Sequence, residues 1–332
     1  MRNGQGMTVR RRRILQAGGA LFLGGCAETL ASAPASPPPP PAPSASLLAP
    51  VAPPAAASSE PAGPPRALAQ AETELRALAA RLGGRLGVHA VDTDNEHSIS
   101  LDADARYATA STFKALLAGA VLARVEAGKL TLEQRIPISR ADLQEHAPVI
   151  KARLGEKALP VRDLCAAIVE VSDNGVANVL LRQVDGPAGL TAFLRGIGDT
   201  VTRLDRFEPE LNTNTVGDER DTTSPRAMVQ SIRRLCLGDV LQPASRKLLV
   251  EWMVNAQTGM RRIRAGLPDG WRAGDKTGTG MRLAVNDVAI AWPPGGKPLV
   301  MAVYTSDSPL KLAEVEQALA EAGRIVARAF VA

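Results

Sequence analysis

The sequence predicts an α+β protein. An antiparallel sheet, built from both termini of the folded region and flanked by helices, should meet a helical domain inserted in the middle, leaving a cleft between the two parts. Two observations carry this. Apolar residues alternate with period two near residues 84–101 and again over 271–305, the pattern of half-buried strands. Between those stretches, from residue 111 to about 264, helical periodicity alternates with polar loops.

The elements follow in order. Residues 1–26 read as an export signal: Arg10, Arg11, Arg12 and Arg13 precede an apolar run that is too short for a permanent membrane span. Leu23-Gly24-Gly25-Cys26 resembles a bacterial lipobox, which would make Cys26 the lipidated mature N-terminus. Arg11-Arg12-Arg13-Ile14-Leu15 also resembles a twin-arginine signal; a plain Sec signal with an incidental cysteine is the alternative. These features imply an exported, periplasmic, membrane-anchored lipoprotein. Residues 27–65 hold 13 of the 25 prolines and only Glu28 and Glu60 as charges, so they cannot bury a core and should form an extended, disordered tether.

The folded domain is expected over residues 66–332, its helical part over about 108–264. Leu68, Ala71, Leu75, Leu78 and Leu82 recur at helical spacing. Leu86, Val88 and Ala90 alternate toward the turn at Asp92-Thr93-Asp94-Asn95, and residues 98–101 complete a hairpin. Residues 111–128 form an apolar helix rich in Ala and Leu. Strands follow at 271–278, 284–292 and 298–305, and a last helix at 310–329.

The formal charge of +5 on 332 residues suggests an anionic partner until the charges are located. Residues 1–26 contain five arginines and no acid, which accounts for the whole excess of 39 basic over 34 acidic residues. The remainder is balanced and only 3% of residues are aromatic, so neither a basic stripe nor a stacking platform for nucleic acid is present. Cys165 and Cys236 are far apart and belong to no C-x-x-C or His cluster, which argues against a metal site. With only His89, His97 and His146, a serine nucleophile would need a base other than histidine.

Three short motifs stand in order: Ser111-Thr112-Phe113-Lys114, Ser172-Asp173-Asn174 and Lys276-Thr277-Gly278. Between the last two lies Glu208-Pro209-Glu210-Leu211-Asn212. The first pattern alone carries nothing, since about one chance match is expected in a chain of this length. The ordered set resembles class A serine β-lactamases and, more broadly, penicillin-binding proteins, and the resemblance covers the whole folded domain.

That resemblance implies an enzyme without cofactor or metal, a monomer, that hydrolyses the lactam amide of penicillin- and cephalosporin-type antibiotics and so confers resistance. Ser111 is the implied nucleophile. Lys114, one helical turn on, shares its face and could take its proton if burial or a cation such as Lys276 depresses its pKa. Ser172 would relay a proton to the departing ring nitrogen, and Asn174 would bind the substrate's side-chain amide. Lys276 and Thr277, with Gly278 beside them, suit a carboxylate. Glu208, on an Ω-shaped loop, would activate the deacylating water held by Asn212. The resemblance places the oxyanion hole at the backbone N–H groups of Ser111 and Thr279. It also pairs Arg206 with Asp221 and puts a cis bond at Glu208-Pro209.

Departures from the family pattern matter too. Gly175 stands where threonine is common and is expected to loosen the local helix start. Cys165 lacks its family partner, since Ala118 holds that place, and should be unpaired and buried. Val285 replaces an arginine after the third motif, and Arg226 resembles the substitute arginine of other members. His146 aligns with an aromatic gatekeeper or is an ordinary loop histidine. Rival readings are a D,D-peptidase with the same nucleophile and a non-catalytic envelope lipoprotein that binds β-lactam or peptidoglycan.

Overall fold

The computed structural model describes residues 66–331. The expectations for the export signal, for Cys26 and for the tether fall outside the described residues.

Helix α1 (Arg66–Leu82) leads into strands β1 (Arg85–Asp92), β2 (Ser98–Leu101) and β3 (Tyr107–Ala108). A 3-10 turn (Ala110–Thr112) then opens α2 (Phe113–Glu126). The middle of the chain supplies β4 (Arg135–Pro137), α3 (Pro148–Arg153), β5 (Ala158–Pro160), α4 (Val161–Glu170), α5 (Asn174–Gln183) and α6 (Gly186–Gly196). After a long loop come β6 (Thr222–Thr223), α7 (Pro225–Cys236), α8 (Pro243–Val254) and α9 (Ile263–Gly266). The end returns to β7 (Arg272–Gly280), β8 (Ala284–Trp292), β9 (Leu299–Ser306) and α10 (Leu312–Val331).

The five long strands form one antiparallel sheet in the order β2-β1-β9-β8-β7. Its central rung joins the two ends of the domain, with Arg85 opposite Ser306 and Asp92 opposite Leu299. Period-two alternation sorts side chains between the two faces. Leu299, Met301 and Val303 of β9 point with Val88 toward α1 and α10, burying Leu75, Leu82, Leu319 and Val326. Val300, Ala302 and Tyr304 point the other way, onto Leu116, Leu117, Val121 and Ile168 of the helical part. Each such aliphatic side chain contributes about 1.5–3 kcal/mol on burial.

Helix α2 is buried continuously from Phe113 to Leu122. A helix apolar on every side belongs at the centre of its layer, and this one carries the first motif at its start. The β3–β6 and β4–β5 pairs have no counterpart in the sequence reading, because two- and three-residue strands show no periodicity.

Cys165 and Cys236 are free and buried, as expected for the former. Burial pushes both thiols up, Cys236 to about 12, so neither is a nucleophile at neutral pH. The expectation for Gly175 is corrected. A Cβ there would lie 2.1 Å from the Asp142 carbonyl oxygen and 2.8 Å from Ile150 Cδ1, so the glycine permits close packing. The helix start is held by Asp173, whose Oδ1 accepts from Val176 N at 2.8 Å.

Candidate active site

Ser111 lies in the 3-10 turn ahead of α2, with Ala110 in the left-handed region at φ 40°. Neighbouring elements pin this turn. Thr109 donates from N and Oγ1 to the Asp221 carbonyl at 2.8 and 3.0 Å. Asn286 Nδ2 on β8 donates to the Ala108 carbonyl at 2.9 Å. Gly278 explains how β7 comes alongside: a Cβ there would be 3.0 Å from the Thr109 carbonyl oxygen and 3.1 Å from Ser111 N. A side chain there would press the nucleophile turn back by a few tenths of an ångström, so glycine favours this close approach of the sheet edge.

Two lysines converge on the hydroxyl of Ser172, which lines the same cavity as Ser111. Lys114 Nζ, fully buried, donates to the Ser172 carbonyl at 2.9 Å and lies 3.4 Å from Ser172 Oγ. Lys276 Nζ, also fully buried, donates to the same Oγ at 3.1 Å and to the Thr277 carbonyl at 2.8 Å. Ser172 reaches both lysines from a left-handed conformation, φ 60°. Lys114 further contacts Asn174 Oδ1 and sits 3.2 Å from Glu208 Oε1. Burial holds the Lys114 ammonium below the ordinary lysine range, opposed by the Glu208 carboxylate. Burial, and then the nearby Lys114 charge, bring Lys276 down to about 7.

Glu208 is positioned by its loop. The Asn178 amide brackets it, donating to the Glu208 carbonyl at 2.8 Å and accepting from its N–H at 2.9 Å. The loop base is closed by the ion pair of Arg206 Nε with Asp221 Oδ2 at 2.5 Å, while Asp221 Oδ1 accepts from the backbone of Asp205 and Arg206. The Glu208–Pro209 peptide is cis. Asn212 Nδ2 donates to Glu208 Oε2 at 2.5 Å. Asn212 Oδ1 accepts no protein hydrogen bond, and Glu208 Oε1 has only its ion pair with Lys114, although both atoms are buried. Their lone pairs suit a water molecule's two O–H groups.

Above these groups opens a cavity of about 340 Å³, lined in part by Ser111, His146, Ser172, Asn174, Asn212, Thr277 and Thr279. Lys114, Lys276 and Glu208 underlie it, contacting its lining residues. A larger cleft, about 630 Å³ beside Arg233 and Lys297, holds no residue of the motifs. Strand β7 is the sheet edge, so its outer backbone groups are not committed to a neighbouring strand. His146 lines the mouth, its Nε2 2.9 Å from the Val171 carbonyl oxygen.

One expected site residue falls elsewhere. Arg226 does not line the cavity. Its guanidinium is committed to both carboxylate oxygens of Asp104 at 2.8 and 3.1 Å, beside the buried His89. The arginine that does line the cavity is Arg262, which the sequence reading missed. It donates to Thr279 Oγ1 at 2.7 Å and to the Gly278 and Asn286 carbonyls at 2.8 Å, and pairs with Glu316 of α10 at 3.2 Å. Thr258 was missed as well; its Oγ1 lies 2.7 Å from Thr277 Oγ1. Neither residue belongs to a spaced motif, and Met260-Arg261-Arg262 reads like any surface loop.

Comparisons with known proteins agree with this geometry. The sequence model of the Beta-lactamase enzyme family matches residues 70–330. The chain is 44% identical over 268 residues to β-lactamase L2 of Stenotrophomonas maltophilia, covering 80% of this chain and 88% of that one. It is 46% identical over 224 residues to the carbapenem-hydrolyzing β-lactamase KPC of Klebsiella oxytoca, covering 67% and 76%. An ancestral (GNCA) class A β-lactamase structure superposes with a TM-score of 0.77 at 50% identity, covering 79% of this chain and all of that one. A β-lactamase from Burkholderia vietnamiensis gives the same TM-score at 41% identity, covering 79% and 96%. With a family match over nearly the whole folded domain and relatives this similar, the chain belongs to the β-lactamase enzyme family, and it is a class A β-lactamase.

Proposed function

We propose that Ser111 opens the lactam and that Glu208 releases the product. The observation that carries this is the convergence of Lys114 and Lys276 on Ser172, which lines the same cavity as Ser111, with Glu208 3.2 Å from the Lys114 ammonium. Ser111 Oγ attacks the carbonyl carbon and its proton passes into the Lys114–Glu208 pair. The tetrahedral oxyanion sits on the backbone N–H groups of Ser111 and Thr279. As the ring C–N bond breaks, Ser172 hands its proton to the nitrogen and is reprotonated from a lysine. Water held by Glu208 and Asn212 then loses a proton to the carboxylate and attacks the ester, restoring Ser111. Asn174 binds the side-chain amide, and Lys276 and Thr277 hold the substrate carboxylate.

A D,D-peptidase would share Ser111, Lys114 and Lys276 but would lack the Glu208–Asn212 pair. The test is the fate of penicillin with purified protein: hydrolysis supports the reading, slow covalent trapping favours the peptidase, and no reaction leaves a binding protein. The same assay run across penicillins, cephalosporins and carbapenems defines the preferred class. The protein's place in the cell is proposed to be the periplasmic face of a membrane, anchored by lipid on Cys26 and held off by residues 27–65. Retention of a Cys26→Ala form in the membrane fraction would overturn the anchor.

Arg262, rather than Arg226, places a positive charge at the wall of the cavity; its own N–H groups are taken by Glu316, Thr279 Oγ1 and the Gly278 and Asn286 carbonyls, so it acts through its charge and its hold on Thr279. Arg262→Ala should raise KM about tenfold, through the loss of that charge and of the charge-assisted hydrogen bond that holds Thr279 Oγ1, whereas Arg226→Ala should leave it near the wild-type value. Steady-state kinetics on one penicillin decides between them.

The lowered Lys276 pKa sets a pH dependence. Its ammonium is present below about 7 and lost above it, so the attraction for a substrate carboxylate is full at low pH and falls as pH rises. KM is expected to climb between pH 7 and 9. In Lys276→Arg, whose charge does not titrate in that range, the climb should disappear; the same climb in that variant would assign it to another group.

A further inference from the structure

The turn that presents Ser111 is held by a hydroxyl relay none of whose members touches substrate. Tyr304 lies on β9 with its side chain fully buried, facing the helical part, its ring centroid 6.0 Å from that of Tyr107. Among the described residues its hydroxyl meets one partner, Thr112 Oγ1 at 2.8 Å. Thr112 donates its single hydroxyl proton to the Thr109 carbonyl at 2.6 Å, so Tyr304 must be the donor in the first bond. The Thr112 N–H donates to that same carbonyl at 3.1 Å. Burial pushes the Tyr304 hydroxyl well above the usual tyrosine range, which keeps it a donor at any working pH.

This is an expensive place for a phenol. Its neighbours on the strand are Met301, Ala302, Val303 and, beyond it, Thr305. A phenylalanine ring would fill the same space without a hydroxyl to satisfy. What the hydroxyl reaches is the turn in which Ala110 is held at φ 40°, a conformation an L-residue leaves readily unless its surroundings fix it. Thr109, the acceptor at the far end, is the residue bound to the Asp221 carbonyl at the base of the Glu208 loop.

We propose that Tyr304 and Thr112 are positioning residues for acylation: acting in series, they fix the Thr109–Thr112 turn so that Ser111 Oγ and Ser111 N–H keep their places relative to the lactam carbonyl. The inference rests on Ser111 being the nucleophile. It concerns the rate of bond formation and not the affinity for substrate, because Lys276, Thr277 and Asn174 are not part of the relay.

The test is single-turnover acylation by a chromogenic cephalosporin, which separates the dissociation constant of the first complex from the acylation rate. Tyr304→Phe and Thr112→Val should each acylate about tenfold more slowly, a modest share of what misplacing a reacting group by an ångström costs. The dissociation constant should stay near wild type. Thr112→Ser, which keeps the hydroxyl, should restore the rate. The double variant Tyr304→Phe/Thr112→Val should be no slower than the slower single one, since a series loses its function at the first break.

Wild-type acylation in Tyr304→Phe, losses that multiply in the double variant, or a loss confined to the dissociation constant would each overturn the relay. If Tyr304→Phe does not fold, the comparison of Thr112→Ser with Thr112→Val decides alone, and equal rates in the two overturn it. An undiminished rate in Ser111→Ala overturns the nucleophile itself. Wild-type rates in the relay variants beside an inactive Ser111→Ala overturn only this inference.

Discussion

Glu208→Gln is expected to stop the enzyme with the opened antibiotic attached to it. The substitution keeps the shape of the side chain and its contact with Asn212, but an amide cannot take the proton of the attacking water. Turnover of a penicillin should fall by about 10²- to 10⁴-fold, the usual contribution of a positioned general base. Intact-mass measurement should show the protein heavier by one whole penicillin, persisting for minutes. The Glu208 backbone remains bracketed by Asn178, so the loop should keep its place. Normal turnover in this variant would move the deacylating base elsewhere. Loss of turnover without adduct would mean that Glu208 is needed earlier, in taking the proton from Ser111.

Ser111→Ala should remove both stages at once. Without Oγ there is no ester to form, and the remaining groups offer only weak catalysis of direct attack by water. A fall of at least about 10⁴-fold in kcat is expected, by comparison with nucleophile deletions in other serine hydrolases. No covalent adduct should appear with any β-lactam, which separates this variant from Glu208→Gln. Penicillin binding should survive, because the substitution leaves Lys276 and Thr277, the proposed carboxylate site, untouched; equilibrium dialysis against the intact drug checks it. Residual hydrolysis within tenfold of wild type would place the nucleophile at another residue.

Most of this site was legible because the chemistry demands residue types at fixed spacing. Ser111 and Lys114 are one helical turn apart, and Ser172-Asp173-Asn174 and Lys276-Thr277-Gly278 follow them in a fixed order. The strands were legible from alternation, since each buries one apolar set per face. What escaped is what arises only when distant segments meet. Arg262 has no periodic context and gains its role from Thr279 on β7 and Glu316 on α10. Arg226 was misplaced for the same reason: its neighbour Asp104, 122 residues away, claims it. Gly175 was read from its own flexibility, whereas the deciding atom is a carbonyl oxygen of Asp142.

The central pairing of β1 with β9 has a consequence for how the protein comes into being. Residues 85–92 wait for residues 299–306 before the sheet can close. Lys276 and Thr277 join the sheet only through β8, which itself rests on β9. A nascent chain therefore holds Ser111 and Glu208 long before it can complete the carboxylate site. Contacts this remote in sequence slow folding, because the loop must close before any pairing stabilises it. Such a chain stays open until synthesis is nearly finished, and a copy truncated before β9 should be inactive however well its helical part folds.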